Sequence, residues 1–139
     1  MQTIARILLA ILFALVTYLT LTPDPSQNPQ GMDLMAWLSN LIFATQVFAD
    51  KIAHFLAYGS LGFTAYFSKI KIGNHRRWTP LALGVSGAGL EGVQAFIAER
   101  SPEILDAVAN GSGAIAGFFG AHLIAHFLNP NWVLNRKGE

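Results

Sequence analysis

The sequence contains no cysteine, which excludes disulfides and thiolate metal ligands and leaves the redox compartment unmarked. Charge is scarce as well: 12% of the residues are Asp, Glu, Lys or Arg, against about 25% in soluble domains. So few charges cannot coat a soluble globule, and the 53% hydrophobic content points to lipid as the solvent for much of the chain. No repeat, low-complexity tract or nucleic-acid motif is found, so nucleic-acid binding and a soluble cytosolic role are set aside. With 139 residues the chain has room for a single domain, 1–139.

What the sequence does have is long apolar runs. A bilayer core requires roughly 20 mostly apolar helical residues, and four segments approach this length, at about 4–21, 52–67, 79–97 and 102–128. Pro23 and Pro25 stop the first. Thr79-Pro80 and Ser101-Pro102 open the third and fourth, as an N-cap followed by proline in the first turn. The first segment lacks a small-x-small cleavage site at Thr20–Thr22 and is expected to be retained rather than removed as a signal peptide. Met32 to Phe48 is apolar but broken by Asp33, Ser39, Asn40 and Gln46. It is expected as an interfacial helix in the first outer loop, with Trp37 near the headgroups. The expected fold class is therefore an all-α membrane protein, a four-transmembrane-helix bundle.

The cations set the direction. Arg6, Lys69, Lys71, Arg76, Arg77, Arg136 and Lys137 fall on the N-terminus, the second-to-third loop and the C-terminus. An even number of spans puts these three on one side, which the positive-inside rule makes cytoplasmic. Trp78 and Trp132 then read as anchors at that interface. Only Lys51 and Arg100 remain for the outer side, together with Asp24, Asp33, Asp50, Glu99, Glu103 and Asp106.

Helical spacing turns these positions into faces, because residues three and four apart share one side. Asp50, Lys51, His54 and Tyr58 form one stripe. Gly84, Gly87, Glu91, Gln94 and Ala98 form a second, and Asp106, Asn110, Gly113, Gly117 and Gly120 a third. At about 1.5 Å of rise per residue, His54 and Asn110 lie roughly 6 Å below the outer surface, and Glu91 and Tyr58 about 10 to 12 Å. A charge facing lipid at that depth costs several kcal/mol, so Glu91 is expected to face the bundle interior. Gly113 and Gly117 are expected to let helix backbones approach closely. His122 and His126 have i, i+4 metal-ligand spacing but no evident third ligand, and read as interfacial side chains.

The blocks "DKIAHFLAYGSLGF", "EGVQAFIAER" and "DAVANGSGAIAGFFG" resemble the VanZ-like family of small membrane proteins. The family's D-K-x-x-H-F-x-x-Y, E-x-x-Q, following arginine and D-x-x-x-N-x-x-G fall on Asp50, Lys51, His54, Phe55, Tyr58, Glu91, Gln94, Arg100, Asp106, Asn110 and Gly113. The resemblance covers nearly the whole chain, three blocks in order. It implies a bacterial cytoplasmic (inner) membrane protein of the cell envelope, in a family whose namesake is associated with teicoplanin resistance. It implies no mechanism.

Four readings of the cluster stand at this point. In the first, the polar groups only fix helix packing, with Lys51 and Arg100 neutralising Asp50, Asp106 or Glu91. In the second, the two outer cations and the residues around them (Asp50, Lys51, His54, Tyr58, Glu91, Gln94, Arg100, Asp106 and Asn110) bind an anionic ligand. Membrane lipids and lipid-linked envelope precursors are the ligand classes that suit an outer-facing polar cavity. In the third, Glu91 and His54 act as acid and base on a lipid, with Asp106 orienting His54 or joining Glu91 on a metal. No serine or cysteine nucleophile lies in the motif, and one histidine is thin for zinc, so no metal or other cofactor is expected. The fourth, proton-linked transport, lacks an acidic path to the cytoplasm and would require a homo-oligomer. The binding reading is preferred.

Overall fold

The computed structural model describes residues 2–22, 29–97 and 102–128, with side chains from Asp33 onward in the middle stretch. Five α-helices make up nearly all of it: α1 (Gln2–Leu21), α2 (Pro29–Phe43), α3 (Ala49–Ser68), α4 (Thr79–Gln94) and α5 (Ile104–Phe127). No β-strand occurs among the described residues. Pro23, Pro25, Ala98, Glu99, Arg100, Ser101, Trp132, Arg136 and Lys137 lie outside them.

By length and apolar content, two helices are candidate membrane spans: α1, with mean hydropathy 2.3, and α5, with 1.2. The second expected span, α3, reaches 20 residues only by taking in Ala49, Asp50 and Lys51. The third, α4, ends at Gln94 instead of Ile97 and has 16 residues, about 24 Å of helix. Only 22% of the apolar window of α1 is buried, so α1 is not the core helix of the bundle.

The core lies where α3 is wedged between α5 and α1. Leu9 and Val16 of α1, Tyr58, Leu61 and Ala65 of α3, and Ala114 and Phe118 of α5 form one buried cluster. The α3–α5 crossing is close enough to bring backbone against backbone. A Cβ on Gly113 would land on the Phe55 carbonyl, one on Gly117 on the Gly59 carbonyl, and one on Gly62 on the Ala114 carbonyl. Gly113 and Gly117 thus act as expected, whereas Gly120 meets nothing within 4 Å and does not belong to the contact stripe. Gly62, absent from the expected stripes, does.

Both proline-led helix starts are built differently from the expected N-caps. Trp78 occupies the N-cap of α4 without a side-chain cap bond, and the Thr79 hydroxyl instead donates to the Ile70 carbonyl at 2.9 Å. Glu103 occupies the N-cap of α5, again without a side-chain bond. Thr79 serves the connection that follows α3. Arg6 Nε donates to the Ser68 carbonyl at 3.2 Å, and the Arg76 guanidinium donates to the Tyr66 carbonyl. Three side chains from three elements therefore satisfy the carbonyls in and just beyond the last turn of α3, the negative end of its dipole. Lys69 closes that helix in the left-handed conformation, φ 54°. The short connection to α4 then reverses through Gly73 and Asn74, both at positive φ, with Ile72 and His75 exchanging backbone hydrogen bonds. Arg6 and Arg76 are thus gathered at one end of α3, and Lys51 at the other.

Candidate functional site

The N-terminal end of α3 carries Asp50, Lys51 and His54 toward α5 and the last turns of α4. Lys51 Nζ sits 2.6 Å from Asp50 Oδ2 and 3.0 Å from Asp106 Oδ1, and also pairs with Glu103. One ammonium therefore holds three carboxylates. Partial burial works against its charge and the three carboxylates outweigh that, so its pKa is held above the ordinary lysine value. Glu103, expected only as one of the scattered outer acids, is a full member of this group. Its sequence signal is weak, since it precedes α5 and belongs to no helical stripe.

One turn further along α3, His54 Nδ1 lies 3.0 Å from Asn110 Oδ1 and Nε2 lies 3.8 Å from Asp106 Oδ2. Asn110 is fully buried, and its Nδ2 donates to Glu91 Oε1 at 3.5 Å. Glu91 Oε1 is also 3.9 Å from His54 Nδ1. The other Glu91 oxygen, Oε2, is buried without a hydrogen bond, and the Glu103 backbone is the nearest main-chain neighbour of the carboxylate to act on it. Gly87 makes this arrangement feasible, because a Cβ there would collide with Asn110 Cβ and the Tyr58 ring. Tyr58 is completely buried, and its hydroxyl lies beside Ser86 without completing a hydrogen bond.

Asp50, Lys51, His54, Glu91, Asp106 and Asn110 thus form one connected network across α3, α4 and α5. Two described residues of the expected set, Tyr58 and Gln94, stand outside its hydrogen bonds. Gln94 Nε2 donates to the Thr20 carbonyl at 2.7 Å, so its amide closes the end of α1 and ties that helix to α4. Arg100 lies outside the described residues. At the opposite end of the bundle, the Tyr66 hydroxyl and His122 Nδ1 are 3.3 Å apart, and the rings of His122 and His126 are 6.4 Å apart. No third histidine or carboxylate joins that pair among the described residues.

The sequence model of the VanZ/LLP1 family matches residues 6–125. The chain belongs to the VanZ/LLP1 family. No curated protein and no solved structure matches it. The matched stretch takes in every residue of the VanZ-like network, from Asp50 to Asn110, together with the glycines of the α3–α5 crossing. Chemically, the described part of this VanZ-like site is acidic: Asp50, Glu91, Glu103 and Asp106 face Lys51 and one imidazole. Lys51, already surrounded by carboxylates, is not a free ammonium for an incoming anion.

Proposed function

We propose that this VanZ-like chain crosses the bacterial cytoplasmic membrane four times, through α1, α3, α4 and α5, and binds an anionic lipid or lipid-linked envelope precursor at the outer mouth of the bundle. The observation that carries this reading is the inverted distribution of polarity. Ile4, Ile7, Ile11, Val85 and Leu123 are exposed on the outside, while Glu91, Asp106 and Asn110 are buried within. Ionisable groups held inside a membrane bundle mark functional sites by default. In this arrangement α2 lies along the outer interface, and Arg6 and the Lys69–Arg77 connection face the cytoplasm with both termini. A cysteine placed at Asn74 in this cysteine-free chain should resist a membrane-impermeant thiol reagent in intact spheroplasts and react after lysis. Labelling of intact cells would reverse the topology.

With Lys51 committed to three carboxylates, the contact with the anion falls to Arg100, whose planar guanidinium suits phosphate and carboxylate alike. Mass spectrometry of lipids that co-purify with the protein tests this. Arg100→Ala should lose the bound anionic lipid, while Lys69→Ala, at the other end of the bundle, should keep it. An unchanged lipid complement in Arg100→Ala would remove the binding reading. The same spectra address acid–base chemistry by Glu91 with His54, which the unbonded Glu91 Oε2 favours. That chemistry would appear as a modified lipid missing from Glu91→Gln.

A further inference from the structure

We infer that His54, Glu91 and Asp106 form a binding site for one divalent transition-metal ion of the Zn2+ or Mn2+ class. A donor atom from each of the three lies within 4.8 Å of those of the other two. A tetrahedral ion with bonds of about 2.0–2.1 Å holds its ligand atoms about 3.4 Å apart. Side-chain rotations that contract the group by roughly an ångström would therefore close it around an ion.

The hydrogen bonds around the three residues point the same way. A carboxylate accepts only, so the Asn110 amide must turn its NH2 to Glu91 Oε1 and its oxygen to His54 Nδ1. The tautomer that matches this contact has its proton on Nδ1, which leaves the Nε2 lone pair facing Asp106 Oδ2, 3.8 Å away. Two lone-pair atoms facing each other at a largely buried site are relieved by a cation between them. A second observation, independent of that pair, is Glu91 itself. It is only 4% exposed, and its Oε2 is buried with no hydrogen bond. Each of the three residues thus has one atom held by a neighbour: His54 and Glu91 by Asn110, Asp106 by Lys51. Such outer contacts orient metal ligands and select the histidine tautomer. Two carboxylates and one neutral imidazole balance a divalent charge, and nitrogen with oxygen donors suits Zn2+ or Mn2+. Three protein ligands leave a coordination position open.

The site does not depend on the lipid reading. Tag-free protein in detergent, stripped by chelator and delipidated, is titrated calorimetrically with Zn2+ and separately with Mn2+. One ion should bind per chain, and Co2+ in its place should show absorption bands of an N/O site. Asn110→Ala should weaken Zn2+ binding by about 10- to 100-fold, the range for outer-contact changes, and His54→Ala, Glu91→Gln and Asp106→Asn by more. The double change His122→Ala/His126→Ala should leave the affinity intact. Failure of the intact protein to bind either ion would overturn the site whether or not any variant folds. Undiminished binding in a folded His54→Ala protein would overturn it equally. Lipid lost from Arg100→Ala without zinc binding, or zinc bound with the lipid unchanged, separates this site from the lipid reading.

Discussion

Gly117→Ala is expected to unfold the bundle at a temperature roughly 10 °C lower than the parent protein, while Gly120→Ala leaves it unchanged or slightly more stable. The two glycines are neighbours on one helix and differ only in what a methyl group would meet. At Gly117 it would fall on the Gly59 backbone, touching carbonyl oxygen, carbonyl carbon and Cα. Backbone cannot rotate aside as a side chain can, so α3 and α5 must separate. Overpacking a tight contact costs about 1–3 kcal/mol, and the absence of any flexible neighbour places Gly117 at the upper end. Separation would also spread the polar network, because Phe55 and Gly59 share α3 with His54. At Gly120 no atom lies within 4 Å. The substitution there gains helix propensity, about 1 kcal/mol at most. Circular dichroism melting of both variants in the same detergent reads the contrast, and equal melting temperatures would mean that α3 and α5 are not in backbone contact.

That contrast marks where reading from periodicity succeeds. His54, Glu91 and Asn110 are legible as a converging cluster because their spacing on each helix assigns them to a face. A charge in an apolar helix then has one economical direction, inward. Gly113 and Gly117 follow from the same logic. Gly120 does not, because a stripe of period 3.5 drifts around a straight helix and the crossing partner covers only part of it. Partners set by register between helices are likewise invisible to spacing. Gln94 shares a face with Glu91, yet it reaches the Thr20 carbonyl because α1 ends beside it. Thr79 has the sequence of an N-cap, but its hydroxyl donates to the carbonyl of Ile70 and Trp78 takes the N-cap position. Lys51 reads equally as a partner for Asp50 or Asp106 and as a cation for an incoming anion until three carboxylates are found around it, Glu103 among them. Individual residues announce their faces, and tertiary contact decides their partners.

Lys51 also gives the second large effect. Lys51→Met is expected to destabilise the bundle by about 3 kcal/mol, with Asp106→Asn in the same chain restoring most of the loss. The Lys51 and Asp106 side chains are 14% and 9% exposed, so removing the ammonium strands a carboxylate away from water. Stranding one member of a buried pair costs about 3–5 kcal/mol. Asp50 and Glu103 are 43% and 50% exposed, and water takes over their solvation, so they add little. This discount sets the estimate at the lower end. Because the Lys51 pKa is raised, its contribution is complete below the unfolded lysine value of 10.5, and a measurement at neutral pH reads the full effect. Methionine keeps the length and apolar stem of the side chain, so the loss reports charge rather than packing. Asp106→Asn removes the stranded charge and leaves its shape, and the double-mutant cycle isolates the pair. If Lys51→Met melts like the parent protein, or if Asp106→Asn fails to rescue it, the ammonium does not hold α3 to α5.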